Sequence, residues 1–466
     1  MSTSTTIAAG HELPRRARGS GRRSHHPWAL ALAVAIPLAA SYLIVSPPAG
    51  DLAAATYRSD LFARAGFTTW DTGWYAAHGH WLPGYSLLSP ALGALLGVRV
   101  LLVLSGIAAS VLFALIARRA FDPVAARIAA VVFALGFSVE LLSGRVPYDL
   151  GFAIGLATVL ALMRGALPLA LGLAALTSVA SPVAGAFLAL AGLAYATAEV
   201  RRGVALVAAA LAPILLLNLA YPEGGYEPFA PSDFWLTLGG VLLIALLLPQ
   251  GPLSAAGRRI VRVGATVYAL ALIGSFAIQT PVGGNAARLG PPLAAPLLAG
   301  VLWERRRAAL LSLAPLVLYW QLITPIHDAG ALAGDPSVSA SYYAPVRSEL
   351  RRLLADRPGG APIIVEVPLT KAHWEAVYLA GHDGISLARG WERQLDTRYG
   401  AIFYRPSLSS SAYRAWLAEN RVAYVALPDA PLDQAGLLEG KLVARGLPYL
   451  RELWHSEHWR LYRVMG

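Results

Sequence analysis

Residues 59–85, SDLFARAGFTTWDTGWYAAHGHWLPGY, gather Asp60, Asp71, His78 and His80 among aromatic side chains in one connecting segment. A carboxylate beside a membrane is costly unless it is solvated, paired or used, so both aspartates are candidates for chemistry. Asp71 has a second reading, because Thr69-Trp70-Asp71 can begin and cap a helical turn. Trp70, Trp74 and Tyr75 suit either contact with a substrate or an aromatic belt at headgroup depth. His78 and His80, with Asp71, can bind a divalent metal, since an extended backbone points both imidazoles of HGH the same way. His327 and Asp328 stand where they can close such a site, or simply be solvated.

A second stretch, TPVGGNAARLGPP (280–292), has the make-up of an anion site. Its glycines let backbone N–H groups approach an anion, Asn285 adds a neutral donor, and Arg288 can grip a phosphate in bidentate fashion. Snorkelling of Arg288 to lipid phosphate is the alternative. Arg145 in SGRVPYD is a further phosphate candidate, or a partner for Asp149. In YPEGGYEPFAPSDF (221–234), Glu223 and Glu227 sit among aromatics, a composition suited to sugar binding by stacking and hydroxyl hydrogen bonds. The glycines and prolines there equally make an ordinary tight connector.

Positioning these groups falls to a very apolar chain. Of 466 residues, 56% are hydrophobic and 14% charged, with a mean hydropathy of +0.54. That excludes an ordinary soluble protein and indicates a polytopic membrane protein. The net charge of +11 would suit nucleic acid, but the arginines fall between apolar segments and read as topology signals, so no nucleic-acid partner is expected. Cysteine is absent, which excludes disulfides and thiolate chemistry. The basic stretch 1–26 reads as a disordered cytoplasmic tail, and 27–45 as an uncleaved first membrane helix rather than a signal peptide.

Ten further apolar runs, near 99–117, 124–143, 150–163, 166–180, 183–198, 203–220, 234–249, 261–279, 290–303 and 308–324, predict about eleven crossings within 27–325. With the sides alternated, most arginines between the runs fall with the N-terminal tail, which the positive-inside rule makes cytoplasmic. The loops 48–83, 143–149, 221–234 and 280–292 then face outward. Residues 335–466 are too polar to span. PIIVEVP, VAYVALP and WRLYRV read as strands, while SYYAPVRSELRRLLAD, SSAYRAWLAEN and LDQAGLLEGKLVARG read as amphipathic helices, so a small extracytoplasmic α/β domain is expected. No nucleotide-binding or zinc-protease motif is present, and no internal repeat of the transporter kind is visible.

This layout resembles the C-type (GT-C) membrane glycosyltransferases. There the first helix ends in a large loop with an acidic residue, followed by an interfacial helix and a Pro- and Gly-containing return; Ser59-Asp60, LFARAGFTTWDTGWYAA and LPGYSLLSPALGALLG occupy those places. The two-residue acidic motif common in that superfamily is missing, since Ser59 and Leu61 flank Asp60. The chain is similar, too, to polytopic membrane proteins of actinobacteria. The resemblance implies transfer of a sugar from a polyprenyl-phosphate carrier to an envelope glycan or glycolipid acceptor at the outer face of the plasma membrane. Asp60 would be the general base with Asp71 second, Arg288, Asn285 and Arg145 would hold the donor phosphate, and Trp70, Trp74, Tyr75, Glu223 and Glu227 would contact substrate. Asp60 and Arg288 must then meet in one pocket. The rival readings are a transporter or flippase, and a non-catalytic envelope assembly protein. A transporter would need charged groups within the spans, where Glu140 is the main one.

Overall fold

A computed structural model describes residues 26–247, 253–356 and 362–465. The predicted tail lies outside the described residues except for His26. Each apolar run becomes a helix: α1 (Pro27–Val45), α4 (Val98–Ala120), α5 (Pro123–Glu140), α6 (Val146–Met163), α7 (Leu167–Ala180), α8 (Pro182–Ala196), α9 (Val200–Ala220), α10 (Pro231–Leu247), α11 (Ala255–Ala277), α12 (Gly290–Leu302) and α13 (Arg307–Ala331). Between α1 and α4 lie the helices α2 (Gly50–Ala65) and α3 (Ser89–Leu96), separated by a hairpin of two very short strands, β1 (Trp70–Asp71) and β2 (His80–Trp81).

Among the described residues, seven helices are long and apolar enough to cross a membrane. The other four of the eleven, α7, α8, α10 and α12, have 14, 15, 17 and 13 residues. At 1.5 Å per residue they reach only about 20–26 Å, short of a ~30 Å hydrocarbon core. The expected count of crossings therefore holds as a count of apolar helices, not of full-length spans. The bundle packs α4 against α1, α5 and α6. Phe113, Phe133, Phe137 and Phe152 stack through its middle, the first two with ring centroids 4.2 Å apart.

After α13 the chain builds an α/β domain. Its mixed sheet has the order β4-β3-β5-β7-β6, from β3 (Ile363–Glu366), β4 (Ile385–Leu387), β5 (Tyr424–Pro428), β6 (Leu450–His455) and β7 (Trp459–Val464). β3 pairs in parallel with β4 and β5, while β7 runs antiparallel to β5 and β6. The helices predicted from periodicity form at Ala340–Ala355, Ser410–Glu419 and Gln434–Ala444. Inside this domain Arg389 is 2% exposed, paired with Asp396 at 2.7 Å and Glu439 at 3.1 Å.

The aromatic loop between α2 and α3 fastens the two parts together. The Leu387 N–H donates to the Gly73 carbonyl at 2.8 Å and the Ala76 N–H to the Leu387 carbonyl at 3.0 Å, so the loop extends the free edge at β4. Trp74 is fully buried, its indole N–H donating to the Ala376 carbonyl at 3.3 Å. One apolar cluster contains Leu52, Tyr57, Trp74 and Tyr75 together with Tyr343, Val365, Leu387 and Trp459. The two domains therefore share a core.

Candidate active site

The sequence places α2 near 60–77, but the helix runs from Gly50 to Ala65 and stops at Gly66, whose φ of 71° favours glycine. The acid at its start is consequently Asp51. An acidic side chain in the first turn complements the helix dipole. From there Asp51 reaches both candidate phosphate-binding arginines: its Oδ2 lies 3.3 Å from Arg145 Nε and 3.6 Å from Arg288 Nη2.

Three other elements complete the cluster. Arg145 follows Gly144 at the junction of α5 and α6, where the positive φ of 71° and the closeness of Ala49 and Leu52 demand glycine. Its Nη1 contacts Glu140 at 2.8 Å and its Nη2 lies 3.8 Å from Asp328, near the end of α13. Burial opposes the charge of Arg145, but Glu140, Asp51 and Asp328 outweigh it and hold its pKa above the ordinary value. Arg288 stands in the last turn of a 3-10 segment, Gly283–Leu289, that precedes α12. The Tyr148 hydroxyl donates to the Arg288 carbonyl at 3.0 Å and the Tyr268 hydroxyl to that of Ala286 at 2.7 Å. Asp149 is fully buried close by, with neither carboxyl oxygen hydrogen-bonded.

The α/β domain and the α9–α10 loop roof this cluster. Glu227 donates its backbone N–H to Thr280, and a Cβ on Gly283 would collide with the Glu227 carbonyl, so this loop packs on the Arg288 segment. Burial pushes the Glu227 carboxyl up to about 7 against the opposing pull of Arg393 and Arg288. Arg393 bonds Asp433 at 2.8 Å and lies over the Trp391 ring, which stacks on His373 at 3.5 Å. Burial pushes His373 down to about 4, and its ring faces Gly50, next to Asp51. Cations, carboxylates and an aromatic wall thus surround the mouth of the cluster from two domains.

The remaining sequence candidates lie elsewhere. Asp60 is exposed and faces Arg64 and His382; desolvation raises its pKa above the ordinary value against the opposing pull of Arg64. Nine residues of helix separate it from Asp51, about 14 Å and half a turn of azimuth, so the structure does not bring Asp60 and Arg288 together. Asp71 is buried in β1, accepting from the Tyr57 hydroxyl at 2.7 Å and the Gly73 N–H at 3.0 Å, which closes the turn after β1. Trp70 packs edge-on against Trp81, and the Tyr75 hydroxyl lies 2.9 Å from the Gly390 and Glu392 carbonyls. Asn285 is buried within the 3-10 segment. Glu223 sits beside the buried pair of Arg58 and Glu392, and burial with the Glu392 charge raises its pKa. His78 stacks on Tyr399, while His80 is buried between Trp74 and Tyr75. Among the described residues no group of three or more His, Asp or Glu side chains is arranged to hold a metal.

Asp51 is the residue that sequence reasoning passed over. Its signal was present in SPPAGD, where two prolines end one element and Gly-Asp opens the next.

No family model matches the chain, and no curated protein matches it in sequence. Among solved structures it is similar to the oligosaccharyltransferase of Archaeoglobus fulgidus in its apo form, at 12% identity, over 87% of this chain and 70% of that one, with a TM-score of 0.51. The archaeal protein tethered to an acceptor peptide containing the NVT sequon is matched over 86% of this chain and 69% of that one, at 12% identity and TM-score 0.49. Its complex with an inhibitory peptide and a dolichol-phosphate is matched over 88% and 70%, at 13% identity and TM-score 0.40. The chain shares the fold of an archaeal oligosaccharyltransferase. The expected bundle of apolar helices followed by an α/β domain is the arrangement observed.

Proposed function

We propose that the chain is a multi-pass membrane glycosyltransferase that moves a sugar from a polyprenyl-phosphate carrier to a hydroxyl of an envelope glycan or glycolipid. The distribution of arginines supports an outer-face location at the plasma membrane for the α/β domain and the site beneath it. One observation carries the reading: on a fold shared with an oligosaccharyltransferase, Asp51 and Arg288 face each other 3.6 Å apart.

The chemistry assigns each group a task. The acceptor oxygen attacks the anomeric carbon and the bond from that carbon to the carrier phosphate oxygen breaks, with inversion. Asp51 takes the acceptor proton, as a general base within hydrogen-bond reach must. Arg288 binds the phosphate as negative charge develops on the leaving oxygen. Arg145 orients Asp51. Trp391 and Arg393 line the side from which the acceptor would enter. An apolar cleft of about 270 Å³ lies between α10, α12 and α13, lined by Trp235, Gly239, Gly240 and Trp320. It adjoins the start of α12, where a Cβ at Gly290 would strike the Trp320 indole. That cleft suits the hydrocarbon of the carrier two residues from Arg288. A lipid donor also removes any need for a nucleotide site.

The test is transfer by purified chain in lipid nanodiscs, offered a panel of polyprenyl-phosphate sugars with glycan and glycolipid acceptors. Consumption of a lipid-linked sugar that disappears in Arg288→Ala supports the reading. Equal consumption by Arg288→Ala, or none from any donor by a folded wild type, overturns it.

A further inference from the structure

An apolar groove beside α2 has no part in the chemistry described so far. It opens between the end of α2, the turn into β1 and the return from β2 to α3, with Leu61, Phe62, Leu82 and Leu87 as walls. The Leu87 N–H donates to the Val179 carbonyl at 3.0 Å, which seats the return on the end of α7. Phe67 on the groove is 61% exposed and Leu95 on α3 78% exposed, an apolar surface suited to hydrocarbon. The polar groups of the groove are Arg58, Thr68 and Ser86, and among the described residues no carboxylate lines it. Arg58 is 3% exposed, yet its Nε and Nη1 have no hydrogen-bond partner. The Ser86 hydroxyl accepts from the Ser89 N–H at 3.1 Å, which leaves its own proton to donate. Buried donors without acceptors are costly, and in native proteins they mark a place for a ligand or a water.

We propose that this groove seats the acceptor as a lipid, a glycolipid with an uncharged head. An oxygen of its neck accepts from Arg58, its hydrocarbon lies against Leu61, Phe62, Leu82 and Leu87, and its head runs along α2 toward Asp51. The Glu392 carboxylate already balances the Arg58 charge, so the free N–H groups ask for a neutral oxygen, a hydroxyl or an ester carbonyl, and not a second anion. The space of about 30 Å³ holds one or two groups of water size, too little for a phosphate. Arg58 follows Asp51 by seven residues of helix, two turns, so both lie on one face of α2, about 10 Å apart along its axis. Tyr85, its ring centroid 3.8 Å from the Arg58 Cζ, lies in the field of Asp51 and Arg288 as well, so the inner end of the groove backs onto the reactive cluster. None of the lining residues belongs to the cleft between α10, α12 and α13, so donor and acceptor enter separately. The role as acceptor rests on the proposed function; the lipid site does not, and binding alone reads it.

The full chain in phosphatidylcholine nanodiscs is doped with a galactosyl diacylglycerol carrying a photoreactive diazirine on its acyl chain, irradiated, and its adducts mapped by peptide mass spectrometry. Adducts are expected to concentrate on 58–70 and 82–90, the segments that line the groove. Unlabelled galactosyl diacylglycerol should compete at least about tenfold better than phosphatidylglycerol, the scale of one buried hydrogen bond kept or lost. Thr68→Trp and Leu87→Trp fill the groove from different walls, and each should abolish the adducts. Should neither fold, the wild-type competition decides alone. Adducts spread evenly over the apolar helices, competition no better than that of phosphatidylglycerol, or undiminished adducts in a folded T68W or L87W overturn the proposal. Where transfer to this glycolipid is detected, a raised KM for it in T68W with the donor KM unchanged supports the proposal, and equal transfer to a water-soluble galactoside overturns it. Specific adducts on a folded chain that consumes no donor uphold the lipid site and sink the functional reading alone.

Discussion

Replacing Asp51 by Asn keeps the size and one hydrogen-bond acceptor but removes the group that takes the proton. Loss of a positioned general base costs about 10²- to 10⁴-fold in rate, or roughly 3–5 kcal/mol at 1.36 kcal/mol per decade. The fold should tolerate the change. Asp51 is 27% exposed, Arg145 keeps Glu140 and Asp328, and pairs of that exposure contribute only about 0–1 kcal/mol. The matched control is Asp60→Asn. Asp60 lies on the opposite face of the same helix, about 14 Å along its axis, where its neighbours are Arg64 and His382. Turnover of a lipid-linked sugar would be measured for both variants, with thermal unfolding as the check on folding. D51N should fall by at least two decades with its midpoint nearly unchanged, while D60N stays within about threefold of wild type, a difference under 1 kcal/mol in barrier. Wild-type turnover in a folded D51N, or an equal loss in D60N, would refute the placement of the base.

Further outcomes test the surroundings. With the Glu227 pKa raised to about 7 in the folded chain against 4.5 for the free side chain, the folded state binds the extra proton between those values. Stability must then fall as pH rises from about 4.5 to about 7; Glu227→Gln should flatten that slope in a melting series, and an unchanged slope would contradict the assignment. Arg389→Met strands Asp396 and Glu439 in the core of the α/β domain and should cost about 3–5 kcal/mol, read as a lowered unfolding midpoint; a midpoint within a degree of wild type would count against it. Trp74→Ala should cost a similar ~3–5 kcal/mol and speed proteolysis of residues after 340, because Trp74 belongs to the core shared by both domains; unchanged cleavage would mean that the loop does not fasten them.

Much of the fold was legible because membrane helices announce themselves by apolar length, and β3, β5 and β7 by short β-branched and aromatic runs. β4 and β6 were not, since ISL is only three residues and LRELWH alternates weakly. The site was half legible. Arg145 and Arg288 stood out by type and place, but of the partners of Arg145 only Glu140 is close in sequence, while Asp51 lies 94 residues away, and nothing local signals that pairing. The start of α2 was misjudged because DLFARAGFTTWDTGWYAA is amphipathic on paper, whereas the apolar side of DLAAATY is buried against the α/β domain. For the same reason the aromatics of that loop read as a lipid belt or a substrate wall when most of them form an interdomain core. Composition cannot distinguish those three environments.

The most direct measurement is a structure of the chain in nanodiscs with a non-transferable polyprenyl-phosphate sugar bound. The phosphate is expected within hydrogen-bond distance of the Arg288 guanidinium, with the anomeric carbon facing the Asp51 carboxylate and the prenyl chain between α10, α12 and α13. A phosphate bound at Arg64 and His382, beside Asp60, or a prenyl chain on another face of the bundle would contradict it.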